Sequence, residues 1–156
     1  MVDNSAYRSE LGHNQKFLEY IVKELLPWGY ENFNITTNPS QSVIAGISAG
    51  GVASSFIAFK HPEIFGNVLS MSGAYWKVKR CVRQFAQSER LPLKFYLDVG
   101  LLEEVSPSGI FNSNRHFHKV LQEKGYPVHY TEFLGGHDFI CFRGSIADGL
   151  IYLIGK

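Results

Sequence analysis

Cysteine is scarce and poorly placed for chemistry. Cys81 and Cys141 are the only two and form no C-x-x-C pair, which leaves zinc-ribbon and thioredoxin-type readings without support. A disulfide between them stays open, but two free thiols in a reducing compartment is the simpler account. Net charge is nearly absent: 15 Lys and Arg against 14 Asp and Glu give +1, so nothing global points to nucleic acid. No apolar run approaches the roughly 20 residues of a membrane span. The polar start MVDNSAYRSELGHNQ has no apolar core of a signal peptide. There is no internal repeat and no low-complexity segment. The expectation is a cytoplasmic chain with no membrane partner, forming one domain over residues 1–156. A hydrophobic share of 45%, with 14% aromatic, gives that domain a real core.

The chain is organised around Ser42 to Pro62, SVIAGISAGGVASSFIAFKHP. Val43, Ile44 and Ala45 are too short a run for a helix and read as a buried strand. The turn GISAG follows, Gly46 to Gly50. After it, Ala49, Val52, Ala53, Phe56 and Ile57 fall at helical spacing, and Pro62 ends the helix. Strand, glycine-flanked serine and helix are the context in which G-x-S-x-G means a nucleophile elbow. The serine must stand clear of the sheet on a strained turn. Side chains at Gly46 and Gly50 are expected to collide with the neighbouring backbone. The backbone N–H of Ala49, at the helix N-terminus, is placed to stabilise an oxyanion. With 15 glycines in the chain, the plain alternative is a small-residue turn.

The remaining elements follow in order. Residues 1–13 are polar and read as irregular. Asn14 caps a helix carrying Phe17, Leu18, Ile21, Val22 and Leu25, which Pro27 is expected to stop. Residues 28–41 read as loop. Asn67 to Ser72 is a second strand closed by Gly73. Ala74 to Leu91, with Lys77, Lys79, Arg80, Arg83 and Arg90, is too polar for a core helix. It is either a flap over a site or a solvated helix. Leu93 to Val99 is a third strand, and a loop rich in Pro, Ser and Gly follows. A helix over 112–124 ends at Gly125. Val128 to Leu134, with His129, Thr131 and Glu132 among apolar residues, suits a sheet edge. An apolar helix around Ile146, Leu150, Ile151 and Ile154 closes the chain. Strands alternating with helices mean an α/β fold with a parallel sheet, whose site gathers at the carboxyl ends of the strands.

That rule selects among the ionisable residues. Ser48 follows the first strand. Of six histidines, only His137, in LGGHDF, follows a strand end where a base belongs. His13, His61, His116 and His118 lie elsewhere, and His129 lies within a strand. The acid that orients the base comes from LDVGLLEE. Glu103, on the loop beyond Gly100, is the choice. Asp98 lies inside the strand and reads as a structural group, and Glu104 as a solvated one. The order serine, acid, histidine is that of the α/β hydrolases.

The chain resembles the enterochelin-esterase-like branch of the esterase D type α/β hydrolases, from about Arg8 to the C-terminus. The likeness rests on ELLP at 24–27, AGISAGG at 45–51, HPEIFGNVLSMSGAYW at 61–76 and FYLDVGLLE at 95–103. It also rests on NRHFHKVLQEKGY at 114–126 and GGHDFICFRGSIADGL at 135–150. The resemblance implies a serine esterase of catecholate siderophores with Ser48 as nucleophile, His137 as base and Glu103 as acid. It requires no cofactor or metal. Some members work with a Ser/His pair, which makes Glu103 the least secure of the three. Trp76, Arg80 and Arg143 are the candidate substrate contacts. The basic, aromatic stretch around Trp76 suits a polyanionic aromatic ligand such as a ferric siderophore. Lys77 and Phe142 stand where the family often has tryptophan, so the substrate is left open.

The resemblance also implies that strands are missing before the first one seen here. The loop that supplies a second oxyanion N–H then has no counterpart in residues 1–41. A central strand becomes an edge, and an exposed edge invites pairing with another chain, so self-association is expected. Two other functions compete: a general carboxylesterase, and a silent homologue that binds a ligand or partner.

Overall fold

The structure, a computed structural model, describes residues 14–103 and 109–155. The expectations for residues 1–13, for Glu104 and for the Pro/Ser/Gly loop after it fall outside them.

Asn14 does cap the first helix, its side chain accepting from the Lys16 N–H at 2.8 Å. Helix α1 (Gln15–Tyr20) runs into a π-helical turn (Ile21–Leu25) and on into α2 (Leu26–Asn32). Pro27 therefore does not stop the helix, and residues 28–32 are not loop. The Leu26 N–H reaches back to the Ile21 carbonyl. This wider turn, immediately before the proline, absorbs the missing N–H and eases the crowding of the preceding turn. A 3₁₀ turn, Pro39–Gln41, leads into the sheet.

The alternation continues as β1 (Val43–Ile47), α3 (Ala49–Lys60), β2 (Asn67–Met71), α4 (Lys79–Gln87) and β3 (Lys94–Gly100). The 3₁₀ turn Leu101–Glu103, α5 (Ile110–Glu123), β4 (Val128–Phe133) and α6 (Phe139–Ile154) complete it. All neighbours are parallel, in the order β1-β2-β3-β4. The fold is α/β-hydrolase-like, a mainly parallel sheet with flanking helices. β4 lies at an edge as its mixed composition suggested, and β1 lies at the other. Among the described residues no strand precedes β1.

Two cores cover the two sheet faces. On one, Leu18 of α1, Val52 and Phe56 of α3, Phe85 of α4 and Phe117 of α5 pack against Phe95 and Leu97. On the other, Phe142 and Leu153 of α6 pack on Leu69, Met71 and Tyr96. A Cβ at Gly149 would lie 2.4 Å from Leu69, so α6 sits close down on the sheet at this point. The basic stretch is corrected by α4. It is neither a flap nor wholly solvated, because Cys81, Val82 and Phe85 are buried while Lys79, Arg80 and Arg83 stay in water. A helix with such a split face belongs to the core despite its charge. Both cysteines are free. Among the described residues no helix is long and apolar enough to cross a membrane.

Candidate active site

Ser48 stands between β1 and α3 with φ 57° and ψ −116°. That positive-φ backbone is strained for a side chain with a Cβ and persists only where its surroundings over-determine it. They do. The Ser48 N–H donates to the Met71 carbonyl at 2.9 Å, and its own carbonyl accepts from Gly51 at 3.1 Å and Ala74 at 2.9 Å. The hydroxyl caps no helix.

The glycines around it differ from expectation. A Cβ at Gly46 would lie 2.2 Å from the Gly50 carbonyl oxygen, so Gly46 is obligatory. A Cβ at Gly50 would meet nothing within 4 Å, so no collision explains that residue. The second tight position is Gly51, whose Cβ would lie 2.4 Å from Ser70 Oγ. Close approach of α3 to β2 is what excludes a side chain there. Ala49 opens α3, so its N–H is one of the unpaired donors of the helix N-terminus.

Three strands away, the β4 loop carries His137. Its Nδ1 lies 2.5 Å from Glu103 Oε2. Glu103 is buried, and its other oxygen accepts from Ser72 Oγ at 2.5 Å and the Gly100 N–H at 3.0 Å. Since a carboxylate only accepts, the neutral imidazole carries its proton on Nδ1, which leaves the lone pair on Nε2. The loop holding the ring is fixed at both ends. The Leu102 N–H donates to the Gly135 carbonyl at 3.0 Å. Asp138 caps α6 through the N–H groups of Ile140 and Cys141, and the Cys141 N–H holds that carboxyl below its ordinary pKa. Phe142 meets the imidazole edge to face at 5.3 Å.

Hydrogen bonds thus link the carboxyl ends of all four strands: Ser48 to Met71, then Ser72 to Glu103 to His137. Among the described residues Ser48 Oγ makes no hydrogen bond to His137. Such contacts often tighten only when substrate binds. Ser72 was missed from sequence. It too has positive φ, 47°, and its signal was a serine at a strand end before Gly73.

Asp98 is different. It is fully buried in β3, and neither carboxyl oxygen makes a well-formed hydrogen bond among the described residues. Burial pushes its pKa up to about 6, with the nearby Ser145 hydroxyl and Ser72 amide offsetting part of this and the Glu103 charge adding to it. Among the described residues it makes no hydrogen bond to His137.

A cleft of about 550 Å³ opens between α4 and α5, with Trp76 on its wall. None of Ser48, Glu103 and His137 lines it, yet its wall continues from Ala74, the residue bonded to the Ser48 carbonyl. Arg80 is exposed and absent from the lining; Lys79 and Arg83 are the basic residues of α4 that face it. Arg143 is exposed on the first turns of α6, away from this cleft.

Comparison with known proteins agrees with this architecture. The family described as "Putative esterase" matches residues 3–153. The iron(III) enterobactin esterase of Escherichia coli strain K12 is 30% identical over 97% of this chain. That of Dickeya dadantii strain 3937 is 28% identical over 98%. The chain spans 39% and 38% of their respective lengths. The crystal structure of the Shigella flexneri enterobactin esterase in the presence of 2,3-di-hydroxy-N-benzoyl-serine superposes with a TM-score of 0.86 at 28% identity. That match covers 97% of this chain and 41% of the other.

Proposed function

We propose that this chain, which belongs to that esterase family, is the catalytic unit of a serine ester hydrolase acting in the cytoplasm. The observation that carries the reading is the buried Glu103, which fixes His137 with Nε2 free at the sheet end that also bears Ser48. Ser48 Oγ attacks the ester carbonyl carbon as Nε2 takes its proton. The Ala49 N–H faces the oxygen that becomes negative. His137 returns the proton to the departing alkoxide. Water then attacks the acyl-enzyme with Nε2 again as base, which releases the acid and frees Ser48.

The substrate proposed is a siderophore-type ester of hydroxybenzoyl-serine. The support is the relatives' described activity and the dihydroxybenzoyl-serine present in the S. flexneri crystals. Trp76 supplies an aromatic surface near the serine turn, and Arg143 a cation on the histidine side. A general carboxylesterase is the second reading. It is favoured by Phe142, an apolar ring packed on His137 with no polar group to offer a catechol. The free edge of β1 is also proposed to pair with another chain, since only β2 satisfies it among the described residues.

A fluorophosphonate probe tests the nucleophile: it should label the parent, and neither Ser48→Ala nor His137→Ala. Labelling of Ser48→Ala at the parent rate overturns the assignment. Hydrolysis of short p-nitrophenyl esters but not of ferric enterobactin selects the second reading. Light scattering that stays at monomer mass across a concentration series removes the edge-pairing proposal.

A further inference from the structure

We propose that a groove of about 470 Å³ between β4 and α6 binds a quaternary ammonium ion, with its methyl groups on a cluster of aromatic rings and Asp148 as counter-ion. The groove lies on the sheet face that α6 covers. None of Ser48, Glu103 and His137 lines it, so the inference goes beyond the esterase reading.

Its shape follows from strand and helix periods. His129, Thr131 and Phe133 alternate along β4 and so share one face. Ser145, Asp148 and Tyr152 recur along α6 at helical spacing and face them across the groove. β4 is an edge strand, so the groove opens sideways. Three rings form one wall. Tyr96 and His129 are cross-strand partners and stack at 5.1 Å and 18°. Tyr152 meets His129 at 5.2 Å and Tyr96 at 6.2 Å. Tyr96 is buried, but Tyr152 is half-buried and His129 exposed, so ring surface reaches solvent.

Two acids supply the charge. Asp148 is exposed and forms no ion pair among the described residues. Asp98 lies beneath the floor, fully buried and without a well-formed hydrogen bond among the described residues. Thr131, which lines the groove, is its register partner. Burial raises the Tyr96 phenol to about 12, and the Asp98 and Asp148 charges add to this, so both acids act on the potential at this ring. No lysine or arginine is among the described residues that line the groove. An ammonium already rests on Tyr152. Lys94 Nζ lies 4.3 Å from its ring centroid, outside the lining, held by the Tyr152 and Leu153 carbonyls. Among the described residues no cluster of acids and histidines could hold a metal ion. Aromatic rings around one free carboxylate suit a large, weakly hydrated organic cation instead.

The test is a choline titration of the parent protein, followed by the proton resonance of the trimethylammonium group. Seating on ring faces moves that resonance upfield. The control is 3,3-dimethylbutan-1-ol, the neutral isostere. The expected result is a saturable upfield shift with choline and binding of the alcohol at least about tenfold weaker. Asp148→Asn should weaken choline about threefold, as a solvated ion pair allows, and Asp148→Lys should abolish binding. His129→Ala, which removes an exposed ring, should reduce the shift at saturation. Circular dichroism of Asp148→Lys matching the parent separates lost binding from lost structure. Equal binding of the alcohol, parent affinity in Asp148→Lys, an undiminished shift in His129→Ala, or no saturable shift at tens of millimolar choline overturns the proposal.

Discussion

Replacing Glu103 by glutamine perturbs the site where its geometry is tightest. The carboxylate accepts three hydrogen bonds, from Ser72 Oγ, the Gly100 N–H and His137 Nδ1. A glutamine amide has one oxygen and one NH₂. Its oxygen must face Ser72 and Gly100, because both donate to Oε1 and the Gly100 N–H cannot reverse. The NH₂ then faces Nδ1 and donates to it. That forces the proton onto Nε2, where it blocks abstraction from Ser48. Inverting the tautomer in this way lowers kcat/KM by about 10³- to 10⁴-fold. The fold should survive. Charge-assisted bonds become neutral ones, a loss of about 1–2 kcal/mol, which lowers Tm by roughly 3–6 °C in a domain of this size. The assay is p-nitrophenyl acetate hydrolysis with thermal unfolding alongside. A Glu103→Gln variant within tenfold of the parent rate would refute the tautomer argument. A larger loss in Asp98→Asn, with folding intact, would transfer the acid role to Asp98.

Ser48→Ala should abolish hydrolysis without unfolding the chain. Ser48→Gly should do the same and be about 1 kcal/mol more stable than the alanine variant, because glycine accepts φ 57° without a Cβ clash; equal stability by urea titration would remove the strain claim. Gly46→Ala should destabilise by about 2–3 kcal/mol through its clash with the Gly50 carbonyl, whereas Gly50→Ala should gain about 0.5 kcal/mol as an unhindered helix substitution. Similar costs at both positions would show that the collision was misplaced. Asp98→Asn should change the pH dependence of stability. The Asp98 pKa is raised on folding from 3.8 to about 6, so its contribution is fully present below the unfolded value and lost as pH rises through about 6, on the order of 3 kcal/mol. Denaturant midpoints that decline between about pH 4 and 6 in the parent should flatten in the variant, and an undiminished slope would count against a buried, unpaired carboxyl.

The elements most legible from sequence were those whose signals are local. Val43 to Ile47, the helix from Ala49 and the Gly125 stop, with φ 73°, follow from short apolar runs, helical spacing and a residue that tolerates left-handed backbone. What failed depended on neighbours in space. Pro27 reads as a breaker because its cost is local, but the π turn that relieves it is a response of the whole helix. The charges of α4 concealed Cys81, Val82 and Phe85 because a mean polarity hides a split face. Gly50 satisfied a motif while Gly51 met the steric demand, and only the distance to Ser70 distinguishes them. Ser72 was overlooked because a hydroxyl that supports an acid leaves no pattern in its own segment. Glu103 stood out from Asp98 only by lying beyond Gly100. The structure gives that position its meaning, since a side chain there reaches over the strand end to the β4 loop while Asp98 is enclosed within the sheet.

The site divides along one boundary. Ser48, Ser72, Glu103 and His137 follow four consecutive strands in one sheet, so the residues proposed as nucleophile, base and acid all come after β1 begins. The oxyanion side is assembled differently. Ala49 is the proposed source of one N–H, and in this chemistry a second comes from a loop preceding the nucleophile strand. The described residues before β1 form α1, the π turn, α2 and a 3₁₀ turn rather than a strand and loop. The same side of the molecule carries the edge of β1 that has no partner strand among the described residues. These are one feature rather than two. A strand added parallel to β1 along that edge would end beside Ser48, and the loop leaving it would stand where the second donor is required. Satisfying the ladder and completing the proposed oxyanion site would therefore be the same event. Loss of one such donor costs about 10²- to 10³-fold in rate, so on the proposed reading a strand that paired with β1 would raise the activity of the serine as well as the stability of the sheet.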